Sequence, residues 1–315
     1  MMRQRGHHVI IGLLLMAAGL GVSFAQDHGP WVVPRILNTY RVDWTTFPGT
    51  QGKVHRYEKI LAEDPTSKSP ARWAVRMIYA PPGWVETPTI TQRSFAEYFE
   101  WAFFLAGEQP FCSYDDPSDE TCNLSIHRPG TFMDRPRYSV HGAADPRAEP
   151  GLPISKTGTI SLFWHEKDAE EYFFPRPAPE RFLKMDKSLF TQPTEIDTDE
   201  MDWQPHPTLK GWLIKPLADH KGITKVSIQY MPAGWVDEAN LGKQMNVKYH
   251  EFRYILSGEM PFWYYKGSDQ RTPERAMLRE GYFVHMPPGA VLGAEIQPIS
   301  RTGCSFLQIV RYDLK

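Results

Sequence analysis

The sequence predicts an all-β protein made of two copies of one domain. The first observation is an internal repeat, because a pattern of Gly, Pro and aromatic residues recurs 151 positions later without a gap. The matched residues are Pro81/Pro232, Gly83/Gly234, Trp84/Trp235, Val85/Val236, Glu100/Glu251, Leu105/Leu256, Gly107/Gly258, Glu108/Glu259, Pro110/Pro261, Phe111/Phe262, Tyr114/Tyr265, Gly130/Gly281, Phe132/Phe283, Pro136/Pro287, Val140/Val291 and Gly142/Gly293.

Short runs with a two-residue period are the second observation. Side chains alternate along residues 73–80 and again along 226–230, and a Pro-Gly cluster follows each run. Such alternation between turn residues indicates β-strands. Further strands are predicted at 157–165, 251–259, 260–266, 282–286 and 302–312. No long amphipathic helix interrupts either copy, so we expect antiparallel sandwiches or barrels.

The first 25 residues are predicted to be a secretory signal peptide. Arg3 and Arg5 give a positive start, residues 9–22 are apolar, and a Ser-Phe-Ala cleavage site precedes Gln26. The apolar run is short for a membrane span. We therefore expect an exported protein, periplasmic or secreted, that has no membrane contact after cleavage. An uncleaved N-terminal anchor is the alternative.

The repeat extends upstream of its gap-free part. The additional matches are Asp43-Trp44 with Asp202-Trp203, and residues 59–62 with 215–218. The first domain is therefore predicted over 40–170 and the second over 201–315. Residues 171–200 are rich in proline and charge, and we interpret them as a linker with a short helix over 181–190.

The length and charge of the chain exclude some classes of function. The chain has 315 residues, enough for two domains, and a formal net charge of −2 with no basic stripe. This excludes an ordinary nucleic-acid surface. Aromatic residues are abundant, with 10 Trp, 14 Tyr and 17 Phe. They fit either a well-filled β core, which we prefer, or an aromatic-lined cavity.

Two of the three cysteines are placed to form a disulfide. Cys112 and Cys122 flank residues 113–121, whose acidic and Pro-Ser centre is typical of a turn. Their thiols would then face each other near the mouth of a hairpin, and an oxidising compartment favours a bond between them. Cys304 is predicted to be a buried free thiol.

The spacing of Glu, Gly and Pro resembles that of the cupin family. The pattern in the second copy is Glu251, six residues, Gly258, and later Gly281, five residues, Pro287, one residue, Gly289. The first copy repeats it from Glu100 to Pro136, and residues 201–217 are more narrowly similar to ChrR-type cupins, which also occur as dioxygenases. The resemblance implies two tandem jelly-roll β-barrels, a bicupin, and by analogy a homodimer.

The resemblance also implies a metal site, from which most ligands are missing here. Many cupins bind a divalent metal through a His-x-His pair, a Glu three or four residues later and a final His. The pair corresponds to Gln244/Asn246 or Met245/Val247 in the second copy, and to Arg93/Phe95 or Ser94/Ala96 in the first. The final His is His141 in the first copy and Leu292 in the second. Because imidazole supplies most of the affinity for such metals, we expect the second barrel to hold none.

In the first barrel a metal (Fe, Mn or Zn) remains an alternative if another side chain completes Glu100 and His141. His165, on the predicted closing strand, and His127 are the candidates. A plainer interpretation is that the two Glu residues are buried and paired with Arg or Lys, and that His141 is a hydrogen-bonded rim residue. His250 is expected at the surface.

Three functions follow from these observations. In the first, an exported bicupin binds a small organic ligand without a tightly held metal. The predicted wall residues are Trp101, Phe103, Glu251, Trp263, Tyr265 and Phe283. In the second, Glu100 and His141 are the catalytic residues of an enzyme in the first barrel, either a metal-assisted oxygenase or a carboxylate-driven lyase or isomerase. In the third, the barrels are filled and the role is structural.

Overall fold

The computed structural model describes ten stretches of the chain. They are residues 33–46, 56–64, 72–84, 93–142, 155–166, 169–175, 177–238, 240–266, 272–293 and 300–312. All belong to one compact unit, Trp31–Lys315. The predicted signal peptide (1–25) lies outside the described residues. Within the described stretches we find no helix with the length and hydrophobicity that a membrane span requires.

The all-β prediction is confirmed. In chain order the strands are β1 (Arg35–Asn38), β2 (Thr45–Thr46), β3 (Tyr57–Glu63), β4 (Trp73–Ala80), β5 (Arg93–Ala96), β6 (Glu100–Gly107), β7 (Gln109–Tyr114), β8 (Asn123–His127), β9 (Thr131–Arg135), β10 (Val140–Gly142), β11 (Thr159–Glu166), β12 (Glu171–Phe174), β13 (Thr194–Asp197), β14 (Gln204–Pro205), β15 (Leu213–Asp219), β16 (Thr224–Met231), β17 (Met245–Asn246), β18 (His250–Tyr265), β19 (Glu274–Arg279), β20 (Tyr282–Met286), β21 (Val291–Leu292) and β22 (Cys304–Arg311). The described helical elements are short: α1 (Glu180–Leu183) and 3-10 turns at Thr39–Arg41 and Lys187–Leu189.

The strands form two tandem antiparallel barrels. The first barrel has a sheet ordered β13-β9-β6-β11-β4-β3-β2 and a second sheet ordered β12-β5-β10-β7-β8. In the second barrel the order is β1-β20-β18-β22-β16-β15-β14, and the long strand β18 bends on to pair with β19 and β21 as well. The central strand orders of the two barrels correspond, β9-β6-β11-β4-β3 in the first and β20-β18-β22-β16-β15 in the second.

Central strands face a barrel interior on one side and the other barrel on the opposite side. Along β6, Ala102 and Phe104 belong to a cluster inside the first barrel, whereas Trp101 and Phe103 belong to the core between the barrels. This inter-barrel core also contains the second barrel's Phe252, Tyr254, Phe283, Leu307 and Ile309. Because both faces of these strands are buried, both faces are apolar.

Each half sends one strand to the other barrel. Strand β1, which precedes the first barrel, pairs with β20 of the second, and β13 pairs with β9 of the first. The residue after each strand is a buried threonine whose hydroxyl donates to a glycine carbonyl at 2.7 Å, Thr39 to Gly281 and Thr198 to Gly130. The ammonium groups of Lys59 and Lys215 donate to the carbonyls of these threonines, at 2.8 and 2.7 Å.

The predicted linker, 171–200, is largely part of the first barrel. Strand β12 pairs with β5, and β13 pairs with β9. Phe174 and Phe182 are buried against Phe95, because their apolar burial outweighs the polar and proline-rich composition around them. The predicted helix over 181–190 is present only as α1 and a 3-10 turn.

A disulfide joins Cys112 to Cys122, the pair predicted from the sequence. Cys112 lies on β7, and Cys122 immediately precedes β8, the strand that pairs with β7. Cys304 is a buried free thiol whose pKa is raised to about 12 by burial. His250, expected at the surface, is partly buried: its Nδ1 lies 3.0 Å from Nε2 of His285, and its ring lies beside Trp73 of the first barrel.

Candidate functional site

In the first barrel, a guanidinium links the two predicted catalytic residues. Arg135 lies opposite Glu100 in the pairing of β9 with β6, and its Nη2 lies 2.5 Å from Glu100 Oε2. Its Nη1 lies 2.5 Å from Nε2 of His141 on β10. The structure therefore brings Glu100 and His141 to one place, with the Arg135 guanidinium contacting both.

His141 is held as a neutral imidazole. Its Nδ1 donates to the carbonyl oxygen of Ser139 at 3.0 Å, and its Nε2 lies 3.3 Å from the hydroxyl of Ser94. Burial and the charge of Arg135 lower the pKa of His141 from 6.5 to about 3. A base of such low pKa accepts protons poorly at neutral pH.

We expect the pH dependence of stability to be shallower in a His141→Leu variant. The pKa of His141 is about 3 in the folded protein against 6.5 ordinarily. Between these values the unfolded chain binds a proton that the folded chain does not, so stability is lost as the pH falls from 6.5 towards 3. Urea unfolding at several pH values measures the slope. Parallel curves for the two proteins would contradict this assignment.

A metal in the first barrel, held by Glu100, His141 and His165, stays a prediction. His165 lies opposite Glu100 in the pairing of β11 with β6 and is buried. No group of three or more His, Cys, Asp or Glu side chains with the geometry to hold a metal occurs among the described residues. Glu100 Oε2 and His141 Nε2 both contact Arg135 instead. His127 lies elsewhere, 3.1 Å from Glu195.

The second barrel contains a cavity of about 430 Å³. This volume is within the usual range for small-molecule sites. Most of its wall is apolar or aromatic, and the wall residues are Leu209, Trp212, Met231, Trp235, Met245, Val247, Tyr249, Met260, Pro261, Phe262, Trp263, Leu292, Gly293 and Val310. Its polar lining consists of Asp237, Asn240, Asn246, Lys248, Glu251 and Arg253.

An ion pair on β18 is part of the polar lining of this cavity. Glu251 and Arg253 are two residues apart, so they lie on the same face of the strand. Glu251 Oε1 accepts from Arg253 Nε at 2.7 Å and Nη2 at 2.5 Å. The same oxygen accepts from the amide of Gln308 on β22 at 2.6 Å.

The predicted wall residues divide into two groups. Glu251 and Trp263 line the cavity, and Tyr265 is buried at the end of β18. Trp101, Phe103 and Phe283 are instead in the core between the barrels. Successive side chains of a β-strand point to opposite faces. Each of these three residues is next in sequence to a residue that points into its own barrel, so it points out of that barrel.

Two arginines of these sites were missed from the sequence. Arg253 carries a signal, since its spacing from Glu251 already predicts the same strand face. Arg135 carries little signal, because the repeat aligns it with Met286 and so suggests no shared role. Residues at the expected ligand positions of the second copy, Asn246 and Leu292, do line the cavity, although neither is a histidine.

Comparison with known proteins establishes the fold. No family model matches the chain, and no curated protein matches it in sequence. A proposed dioxygenase from Nostoc punctiforme superposes with a TM-score of 0.61 at 11% identity, covering 90% of this chain and 84% of that one. The protein has the cupin fold.

Two further structures support this conclusion. Protein Ylba from E. coli has a TM-score of 0.56 at 10% identity and covers 90% of this chain and 94% of its own. A deletion mutant of Bacillus subtilis oxalate decarboxylase has a TM-score of 0.52 at 14% identity, with 91% and 79% covered. At such identities the likeness concerns architecture and leaves the activity open.

Proposed function

We propose that this protein binds a small organic molecule in its second barrel and that it does so after export. The observation that carries the proposal is the cavity of about 430 Å³, whose walls are mainly apolar and whose polar lining includes Glu251 and Arg253. Concave apolar sites with a few placed polar groups are the usual form of small-molecule sites. The sequence of residues 1–25 supports export, and the narrower likeness to ChrR-type cupins and a homodimer remain predictions.

The lining indicates a neutral ligand with an apolar body. Its charged residues balance, with Asp237 and Glu251 against Lys248 and Arg253. Among described residues, the hydrogen-bond acceptor of Arg253 Nη1 is the thioether of Met260, at 3.6 Å, which is a weak acceptor. Glu251 Oε2 accepts no hydrogen bond from a described residue. A carboxamide, whose carbonyl oxygen accepts from the Arg253 guanidinium and whose NH2 group donates to the Glu251 carboxylate, matches this pair of groups.

Benzamide is a suitable probe, with benzoate and toluene as comparisons. We expect calorimetry to detect benzamide binding, and we expect Arg253→Met to weaken it by about 10-fold or more, since a hydrogen bond to a charged group contributes about 1.5–3 kcal/mol. Arg279→Met, at an exposed ion pair with Glu259, is the control and should bind like the wild type. Unchanged benzamide affinity in Arg253→Met would contradict the assignment.

The alternative is an enzyme in the first barrel, either a metal-assisted oxygenase or a carboxylate-driven lyase or isomerase. It is favoured by the meeting of Glu100 and His141, and by relatives in fold that are described as a dioxygenase and an oxalate decarboxylase. Two observations weigh against this enzyme. The carboxylate of Glu100 is bound to Arg135, and the low pKa of His141 makes it a poor general base. We therefore prefer ligand binding in the second barrel to catalysis in the first barrel as the proposed function.

A further inference from the structure

The only two residues of the first copy that match the cupin metal pattern both contact one arginine. Glu100 Oε2 and His141 Nε2 each lie 2.5 Å from a terminal nitrogen of Arg135. Strand pairing fixes this arrangement, because Arg135 is the register partner of Glu100. The equivalent residue of the second copy is Met286, so this contact belongs to the first barrel.

The hydrogen bonds of His141 determine which nitrogen faces the arginine. A carbonyl oxygen only accepts, so the contact of Nδ1 with Ser139 O at 3.0 Å places the proton on Nδ1. The lone pair is then on Nε2, directed at Arg135. A metal ion would need this same lone pair and the same carboxylate, because ligands bind metals through unprotonated atoms.

The surroundings maintain Arg135 as a permanent cation. An arginine side chain is not deprotonated in proteins. Glu100 balances its charge, and the rings of Phe111 and Phe163 lie 6.0 and 5.7 Å from its guanidinium carbon, within range of cation–π attraction. A divalent ion brought to the same two ligands would be repelled by this fixed positive charge.

We propose that Arg135 is the resident cation of the first barrel, placed where the cupin pattern puts a metal, and that its removal leaves a site for a small guanidinium ion. This inference is independent of ligand binding in the second barrel. It gives Glu100 and His141 a structural role, because their acceptor atoms bind the protein's own cation.

The first test is a cobalt titration of the full chain. Wild-type protein and Glu100→Gln are dialysed against chelator and then titrated with Co²⁺, with visible absorption as the readout of inner-sphere coordination. We expect neither protein to develop the absorption of a bound ion. Stoichiometric Co²⁺ absorption in the wild type that disappears in Glu100→Gln would overturn the proposal.

The second test replaces the cation. Arg135→Ala should melt at a lower temperature than the wild type, and millimolar methylguanidinium should restore part of the loss, whereas methylammonium should restore less. Arg279→Ala, at an exposed ion pair, is the control and should not respond. If Arg135→Ala folds only with added methylguanidinium, that result also supports the proposal. Absence of any response to methylguanidinium, in melting temperature or in recovery of folded protein, would overturn it.

Discussion

Replacing Glu166 with alanine is expected to lower the free energy of unfolding by about 3–5 kcal/mol, because it breaks a buried ion pair. Glu166 ends β11 of the first barrel, and its Oε1 accepts from Nη2 of Arg311, the last residue of β22 in the second barrel, at 2.9 Å. The side chains are 1% and 5% exposed. Removing the carboxylate leaves a buried guanidinium without its main counter-ion.

Denaturant unfolding measures this effect. Glu180→Ala is the matched control, because its partner Lys184 lies one helical turn away and both side chains are exposed; it should change stability by about 0.5 kcal/mol or less. The double variant Glu166→Leu with Arg311→Met should recover much of the loss, since both members of the buried pair are removed and Arg72, 3.9 Å from Glu166, is 44% exposed to water. A loss in Glu166→Ala no larger than that in the control would show that this pair does not hold the barrels together.

The two members of this pair come from equivalent positions of the two copies. Glu166 and Arg311 occupy equivalent positions, each at the end of its copy's closing strand. Two identical barrels brought together in this way would place two carboxylates or two guanidinium groups in contact. The charge difference between the copies therefore favours association of unlike barrels within the chain.

Replacing Gly258 with alanine is expected to destabilise the protein by about 3 kcal/mol or more, through a left-handed backbone and a steric clash. Gly258 has a φ of +77°, which non-glycine residues rarely adopt. A Cβ there would overlap the carbonyl oxygen of Gly303 on the neighbouring chain segment. Gly107 in the first copy has a φ of +75° and the same relation to Gly158, which explains why the repeat keeps glycine at both positions.

Gly222→Ala separates the two causes. Gly222 has a φ of +83°, but a Cβ there would meet nothing within 4 Å. Its substitution should cost only the backbone term, about 1–2 kcal/mol. Thermal and denaturant unfolding of both variants give the comparison, and equal losses would mean that the contact with Gly303 contributes nothing.

The architecture could be predicted well from the sequence, because both copies have the same residues where the backbone requires them. Gly107 and Gly258 both have a positive φ and a neighbouring backbone carbonyl that leaves no room for a Cβ, so both copies have glycine at this position. The strands followed from alternation, and the disulfide pair from its position around a turn. The linker was misjudged, because exchange of strands between the barrels depends on pairings such as β13 with β9 that have no local signal.

The candidate sites were predicted less completely. A strand that is apolar on both faces does not reveal which face lines a cavity, so Trp101 and Phe103 were expected at a wall and are in the inter-barrel core. Arg135 was missed because it has no counterpart in the second copy. Arg253 could have been found, since strand geometry places it beside Glu251.

The most direct test of the account applies one substitution at equivalent positions of the two barrels. Benzamide is titrated by calorimetry into Glu251→Gln and Glu100→Gln. We predict that Glu251→Gln loses most of the wild-type affinity for benzamide. A neutral amide would no longer hold Arg253 by charge, and the polar lining of the cavity would lose its carboxylate. Glu100→Gln is predicted to bind benzamide as the wild type does. Loss of binding in Glu100→Gln with retention in Glu251→Gln would move the site to the first barrel and contradict the account.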